Sequence, residues 1–573
     1  MRKESLEVNS FPMINKNRKK RGQWVRGADT LPFAGKEARG MEKKTYSYIV
    51  SAEEMKRYDS NTIHYFGIPS LVLMERAALA VAEEIEKRMP RGSRILVVAG
   101  GGNNGGDGIA IARILGRRGY QTEICFVADR QKASPETRQQ LAIAEKYGCP
   151  IKTKMEDGEY DMIVDALFGI GLSRKLEGDY AALVQQINQS SALICAVDIP
   201  SGIDADTGNV MGVAVKADLT VTFAFRKPGH ILYPGCIYAS QVLCRDIGIG
   251  KESFLDYPPR VYTYEQQTDE GQSQIVIPAR RPDGHKGSFG KVLVIAGSVN
   301  MSGACQLCAE SCFRMGVGMV KVLTPEENRI ILQTSLPEAL LATYSAQDGV
   351  EEAKLASLMD WADCILIGPG LGRSKAAGRL LTGVLTGSGK PLVVDADGIN
   401  LLAGSPELKQ ELEEQKGRGR EIMITPHLVE FARLYGCRVE EVKEALLYKP
   451  KELADRYGCT LVCKDARTVV AAWNQQQVYL NSSGNDGLAT AGSGDVLAGM
   501  LAGLLAQGMK GIEAAALGVY LHGKAGERAA ARLGRQGMLA RDLMKGLTLE
   551  WKALVGKGQE GAGKESEDGR EVG

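Results

Sequence analysis

The stretch RILVVAGGGNNGGDGIAIARILGRRG, residues 94–119, decides how the first half of this chain is read. RILVVA has the length and branched apolar content of a buried strand, and IAIARILG has the spacing of a helix. Between them lies GGGNNGGDG, residues 100–108. A strand, a glycine-rich turn and a helix in that order form one unit of a parallel α/β sheet. Glycines allow the backbone to approach a ligand closely, and a helix N-terminus favours an anion. The turn differs from the ordinary dinucleotide fingerprint, which has neither an Asn pair nor an Asp inside it. Amide and carboxylate oxygens placed there suit a hard cation or a ribose hydroxyl.

The same alternation extends on both sides of the motif. AEEMKRYDSNTI and SLVLMERAALAVAEEIEKRM read as helices, while TEICFVA, YDMIVDALFG, ALICAVDIP and LTVTFAF read as strands. This predicts a Rossmann-like three-layer domain over 45–250, with a largely parallel sheet and helices on both faces. Asp165 ends one strand, ahead of FGIGLSRK, and Asp198 and Ser201 end the next, in VDIPSG. Ligands of open α/β sheets bind at the carboxyl ends of strands, so these loops and the Asn pair are expected to meet. Alone, Asp165 or Asp198 could be an ordinary loop cap.

Residues 251–274 read as a linker, and a second, different α/β series over 275–553 follows it. KVLVIAGS, CILIGPGLG, PLVVDADG, EIMITPH and TLVCKD are its strands and strand ends, and a long apolar helix follows GSGD. HKGSFG carries His285 and Lys286 ahead of the first strand, and SGA at 302–304 opens the next helix. TAGSGDVLAGMLAGLLAQG, residues 490–508, carries the most chemistry. Backbone N–H groups from Gly492 to Gly494 form an anion hole for a transferring phosphoryl group. Asp495 beside them can take a proton from an attacking hydroxyl, although Asp is also a common helix cap. Glu430, in TPHLVE, is placed to organise Mg²⁺ through water.

Composition excludes other classes. The chain has 573 residues, enough for two to four domains, with 44% hydrophobic and 24% charged residues, as a globular protein has. With 71 Lys and Arg against 69 Asp and Glu, nothing global draws it to nucleic acid or to anionic lipid. No segment approaches the ~20 apolar residues of a membrane span, and no signal peptide is legible, so a cytoplasmic protein is expected. The 12 cysteines are scattered, as in a reducing compartment. Cys305, Cys308 and Cys312 fall at i, i+3 and i+7 on one helix face without a fourth ligand, which predicts core packing rather than a metal cluster. Residues 1–44 and 554–573 are expected to be a disordered extension and tail.

YIVSAEEMKRYD, GGGNNGGDG, DALFGIGLSR and VDIPSGIDADTG closely resemble the NAD(P)H-hydrate epimerase domain over about 45–250. That resemblance implies contacts to a hydrated dinucleotide from Asn103, Asn104, Gly105, Gly106 and Asp107. It implies further contacts from Gly169, Ile170, Gly171, Leu172, Ser173, Arg174 and Lys175, and from Tyr180 and Asp198. It also implies a K⁺ ion held by Asn104, Asp165 and Ser201. Asp198 is the candidate acid/base at C6 of the damaged nicotinamide.

HKGSFGKVLVIAGS, IGPGLG, TPHLVEF and AGSGDVLAG resemble the NAD(P)H-hydrate dehydratase branch of the ribokinase-like superfamily over about 275–550. The implied hydrate pocket is Ala304, Gly370 or Gly372, His427 and Asp495. Lys464, Asp465, Ala466, Arg467, Thr468 and Gly494 would hold the adenine nucleotide, with Mg²⁺ as cofactor. Val429 and Asp465 stand where that branch usually has glycine. Together the halves resemble bifunctional NAD(P)H-hydrate repair enzymes, which implies R/S epimerisation of hydrated NADH and NADPH. It further implies dehydration of the S form at the expense of ADP. A homo-oligomer is expected, and the charge balance and hydropathy point to no nucleic-acid or membrane partner. Two alternatives stay open: a vitamin or sugar kinase fused to a Rossmann-like ligand sensor, and a first module that is a non-catalytic scaffold.

Overall fold

Alternate residues of the strand Arg94–Ala99 pack on opposite sides of a sheet. Ile95, Val97 and Ala99 join one buried cluster, and Leu96 and Val98 the other. A strand buried on both faces reads as a continuous apolar run, which is why RILVVA carries no polar alternation. The computed structural model describes residues 47–156, 158–264, 277–278 and 280–564. These belong to one compact unit.

In chain order the first strands are β1 (Ser47–Ile49), β2 (Arg94–Ala99), β3 (Gln121–Phe126), β4 (Ile151–Lys152), β5 (Met162–Ala166), β6 (Leu193–Val197), β7 (Leu219–Phe223), β8 (Gln241–Arg245) and β9 (Val261–Thr263). Seven of them form a wholly parallel sheet in the order β4-β3-β2-β5-β6-β7-β8. The order reverses between β2 and β5, and a crevice opens at the carboxyl ends of strands at such a switch. Helix Asn103–Arg117 leaves β2 there and buries Ile109, Ile111, Ile114 and Leu115.

The second half adds β10 (Lys291–Ile295), β11 (Met319–Pro325), β12 (Leu340–Tyr344), β13 (Cys364–Ile367), β14 (Leu392–Val394), β15 (Ile422–Ile424), β16 (Thr460–Cys463), β17 (Val469–Ala472) and β18 (Val478–Leu480). Its eleven-stranded sheet runs β1-β9-β18-β17-β16-β15-β14-β13-β10-β11-β12. The pairs from β16 through β15, β14, β13, β10 and β11 to β12 are parallel, and β16-β17-β18 is antiparallel. Leu293 and Ile295 face one core and Val292 and Val294 the other. The mixed α/β class expected from the sequence is what the chain adopts.

Several expectations need revision. Ser47–Ile49 and Val261–Thr263, read as part of the first module and of a linker, hydrogen-bond to each other and through β18 to the second sheet. Three-residue strands carry too little periodicity to announce a distant partner. Residues 265–276 of the linker and all of 1–44 lie outside the described residues. The helix Ala540–Lys564 runs on past 554, into the stretch read as a tail, and 565–573 are outside the described residues.

The three clustered cysteines are fully buried on helix Ser302–Arg314. Cys305 donates to the Ala296 carbonyl after β10 at 2.9 Å, while Cys308 and Cys312 donate to the Asp495 and Gly499 carbonyls at 3.3 and 3.1 Å and so pack that helix on the one starting at Ser493. Among the described residues no helix is long and apolar enough to cross a membrane, and no group of three or more His, Cys, Asp and Glu side chains is placed to hold a metal.

Candidate active sites

The first site is built where β2, β5 and β6 end. Gly100, Gly105 and Gly108 are there for internal packing. A Cβ on Gly100 would lie 2.1 Å from the Leu167 carbonyl oxygen, and one on Gly105 1.9 Å from that of Gly100. A Cβ on Gly108 would lie 2.4 Å from the Ala166 Cβ. These glycines bring the helix N-terminus down onto the strand ends. Gly105 and Gly106 are buried, Asn103 is exposed, and Asn104 and Asp107 are half-buried.

Asp165 is fully buried and accepts from Ser201 Oγ at 2.6 Å, from Ser201 N at 2.8 Å and from Leu167 N at 3.3 Å. Burial pushes its carboxyl up to about 6, against the pull of those donors. Ser201 Oγ also lies 3.2 Å from the Phe168 carbonyl oxygen. The Asn104 side chain reaches the same loop, since a Cβ on Gly169 would lie 3.3 Å from its Oδ1. Its Nδ2 is buried with no hydrogen-bond partner. An amide can turn over and present oxygen in place of nitrogen, so Asn104, Asp165, Ser201 and the Phe168 carbonyl form an oxygen-rich set fit for a monovalent cation.

Asp198 follows β6 in a left-handed backbone conformation, φ 66°, uncommon for a residue with a side chain and associated with functional sites. Its Oδ1 accepts from Lys227 Nζ at 2.5 Å and from Thr222 Oγ1 at 2.9 Å. Its carbonyl meets His230 Nε2 at 2.9 Å, and Lys227 N donates to His230 Nδ1 at 3.0 Å, which leaves the imidazole proton on Nε2. Burial alone would raise the Asp198 carboxyl, but the Lys227 ammonium outweighs it and holds the group below the usual range. Asp107 moves the other way, well upward, through burial and then the Asp198 and Asp59 charges. The two carboxyls are thus shifted in opposite directions within one site.

The loop after β5 is divided. Ile170 and Leu172 pack on the core, whereas Gly171, Ser173, Arg174 and Lys175 are exposed. Tyr180 sets its ring against the edge of Phe168, with centroids 5.0 Å apart. Lys227 and His230 were missed in the sequence. Their signal was RKPGH directly after the strand LTVTFAF, a charged strand end like those of β5 and β6.

The second site gathers at the carboxyl ends of β10, β13, β14, β15 and β16, again across a switch in strand order, between β13 and β10. Gly370 packs beside Ala304, where an added Cβ would come within 2.9 Å of the Ala304 Cβ. Gly372 N donates to Asp397 Oδ2 at 2.9 Å. The helix Ser493–Ala506 opens after Gly492, φ 87°, and carries Asp495 in its first turn. Lys464 Nζ is held by Asp395 Oδ1 at 2.6 Å and lies 3.4 Å from where a Gly494 Cβ would be. An ammonium thus stands at the backbone N–H groups proposed for the phosphoryl group.

Asp395, also bonded by Thr425 Oγ1 at 2.7 Å and 1% exposed, is the main omission of the sequence reading. VVDADG presented it at a strand end. Burial and the Asp395 charge push the Asp495 carboxyl up to about 6, opposed by Lys464.

His427 caps helix Leu428–Tyr435: its Nδ1 accepts from Val429 N at 3.1 Å, and its Nε2 lies 3.3 Å from Glu430 Oε1. Glu430 is buried, and that burial raises it to about 7 against Lys464. Val429 points outward, 42% exposed. Residues 464–468 form the turn between β16 and β17, with Asp465 and Ala466 exposed and Thr468 buried. Arg467, expected as a nucleotide contact, donates from Nε to the Ile231 carbonyl of the first module at 3.0 Å. His285 and Lys286 precede β10, at the end of the sheet away from these loops.

Comparison with known proteins agrees with this division into two sites. Residues 292–549 match the family model described as NAD(P)H-hydrate dehydratase, and 70–229 match that of the YjeF-related protein N-terminus. A bifunctional NAD(P)H-hydrate repair enzyme of Moorella thermoacetica is 36% identical over 520 residues, 87% of this chain and 95% of that one. One from Escherichia coli is 34% identical, covering 87% and 92%. Among solved structures, an ADP/ATP-dependent NAD(P)H-hydrate dehydratase from Bacillus subtilis, co-crystallised with ATP and Mg²⁺, is 30% identical. It covers 48% of this chain and 94% of that one at a TM-score of 0.42. The chain belongs to the family of bifunctional NAD(P)H-hydrate repair enzymes.

Proposed function

We propose that the first site interconverts the R and S epimers of hydrated NADH and NADPH, and that the second dehydrates the S form with ADP as phosphoryl donor. The observation that carries this reading is the pairing, in one chain, of two separate strand-end sites, each with a carboxyl group moved off its usual pKa. One sheet supplies Asp107 and Asp198, the other Asp495 beside Lys464.

In the second site Asp495 takes the proton of the C6 hydroxyl as that oxygen attacks the terminal phosphorus of ADP. AMP leaves, the C6–O bond then breaks to release phosphate, and loss of a C5 proton restores the dihydropyridine. Lys464 and the N–H groups at Gly492 to Gly494 stabilise the charge on the transferring group. Ala304, Gly370 or Gly372 and His427 line the hydrate pocket. Mg²⁺, when bound, would neutralise phosphate charge, with Glu430 holding it through water.

In the first site Asp198, kept ionised by Lys227, is the acid/base residue at C6. Asn103 to Asp107, Gly169 to Lys175 and Tyr180 contact the dinucleotide. K⁺ at Asn104, Asp165 and Ser201 would balance a carboxylate that otherwise faces an anionic pyrophosphate.

The test is to supply R hydrate alone, with and without ADP. Recovery of NADH absorbance with ADP requires both sites. Without ADP the R form should pass to an R/S mixture and stop there. A phosphorylated alcohol as stable product would favour a kinase instead, and no R-to-S conversion would reduce the first module to a scaffold.

A further inference from the structure

The segment that orients Asp198 is held from outside its own module. After β7 the chain passes through Lys227 and His230, whose side chains grip the Asp198 carboxylate and carbonyl, and continues as Ile231-Leu232-Tyr233. Ile231 and Leu232 are 3% and 5% exposed, and they join the hydrophobic core of the second sheet rather than that of the first. Upstream, Val50 N donates to the Arg226 carbonyl at 2.9 Å, next to β1, which belongs to the second sheet.

Arg467 adds a polar hold. Its Nε donates to the Ile231 carbonyl at 3.0 Å, and its guanidinium lies over the Tyr233 ring, 5.2 Å from the centroid. A planar guanidinium can restrain a backbone carbonyl and an aromatic ring together, which fixes both the position and the tilt of a short segment. Ile231 follows His230 directly, and only three residues separate Lys227 from Ile231.

We propose that Arg467, carried by the second module, is a positioning residue for epimerisation, acting through the 228–234 strap, His230 and Lys227 on the Asp198 carboxylate. The inference rests on Asp198 being the acid/base residue of the first site. The epimerase geometry is then completed only when the dehydratase module is docked, and the two activities share one chain for a structural reason. Arg467 touches neither the reacting carbon nor the Asp198 oxygens; its effect passes through the strap.

The experiment follows epimer interconversion of purified R or S hydrate by chromatography in the full-length chain without nucleotide, so that no dehydration competes. Arg467→Ala should lower kcat on the order of tenfold and leave KM within about twofold, because the base is misplaced while the dinucleotide contacts remain. Tyr233→Ala, which loosens the same strap from the other side, should give the same split. Arg467→Lys, which keeps a donor and a cation for the ring, should recover part of kcat.

Wild-type kcat in both alanine variants, or a loss confined to KM, would overturn the inference. Melting curves separate a general loss of folding, in which kcat and KM fail together without recovery by lysine, and that result too counts against it. Asp198→Asn is run alongside. A wild-type chain that does not interconvert the epimers, or an Asp198→Asn variant that does so normally, overturns the reading of the first site and this inference with it.

Discussion

Exchanging Asp495 for asparagine keeps the shape of the side chain and removes its capacity to take a proton. The carboxyl sits in the first turn of helix Ser493–Ala506, and burial, then the Asp395 charge, brings it up to about 6 against the pull of Lys464. A base of this pKa is about nine-tenths ionised at pH 7 and protonated below 6, so wild-type dehydration should fall about tenfold per pH unit on the acid side. Asp495→Asn should lower kcat by ~10²–10⁴, the usual cost of losing a positioned base, and should abolish that acid limb. The assay is NADH absorbance regained from S hydrate and ADP, with epimer interconversion as an internal control that stays normal. Dehydration within tenfold of wild type, or an acid limb unchanged near pH 6, would refute the assignment of Asp495 as base.

Other outcomes follow from the same geometry. Asp395→Ala leaves the Lys464 ammonium without its buried partner and should cost ~3–5 kcal/mol of stability, read by denaturant unfolding. Gly108→Ala would set a Cβ 2.4 Å from that of Ala166, an overpacking worth ~1–3 kcal/mol. It should depress epimerisation by lifting the helix from β5 while dehydration persists. Asp165→Ala should impair epimerisation and remove its response when K⁺ is exchanged for a bulky organic cation; a response that persists unchanged speaks against the ion site. Burial and the Lys227 charge depress His230 from 6.5 to about 3, so the unfolded chain takes up this proton first on acidification. Stability is therefore lost as pH falls below 6.5, and His230→Gln should flatten that slope by ~1.4 kcal/mol per pH unit, measured by unfolding at several pH values.

Much of this protein was written locally. RILVVA, MIVDA and KVLVI had to be buried strands, because an unbroken apolar run of that length is stable only between two covered faces. Asp165, Asp198, Ser201 and Asp495 could be named from the sequence because each ends a strand or opens a helix, and those are the places where a parallel sheet gathers its loops. The spacing of Cys305, Cys308 and Cys312 likewise sufficed to assign them to a core.

Relations between residues far apart in the chain were decided by tertiary structure alone. Asp395 and Lys464 stand 69 positions apart, and Lys227 reaches Asp198 across 29, so no local pattern marked them as pairs. The glycines of GGGNNGGDG looked like room for a ligand, whereas packing shows Gly108 reserved for Ala166 and Gly105 for the Gly100 carbonyl. Ser47–Ile49 and Val261–Thr263 are too short to carry a preference, and they became strands because the edge at β18 offered unpaired backbone groups. Arg467 turned toward Ile231 for the same reason: a charge near a module seam takes the partner that the docked surfaces bring to it, and the sequence alone does not specify that docking.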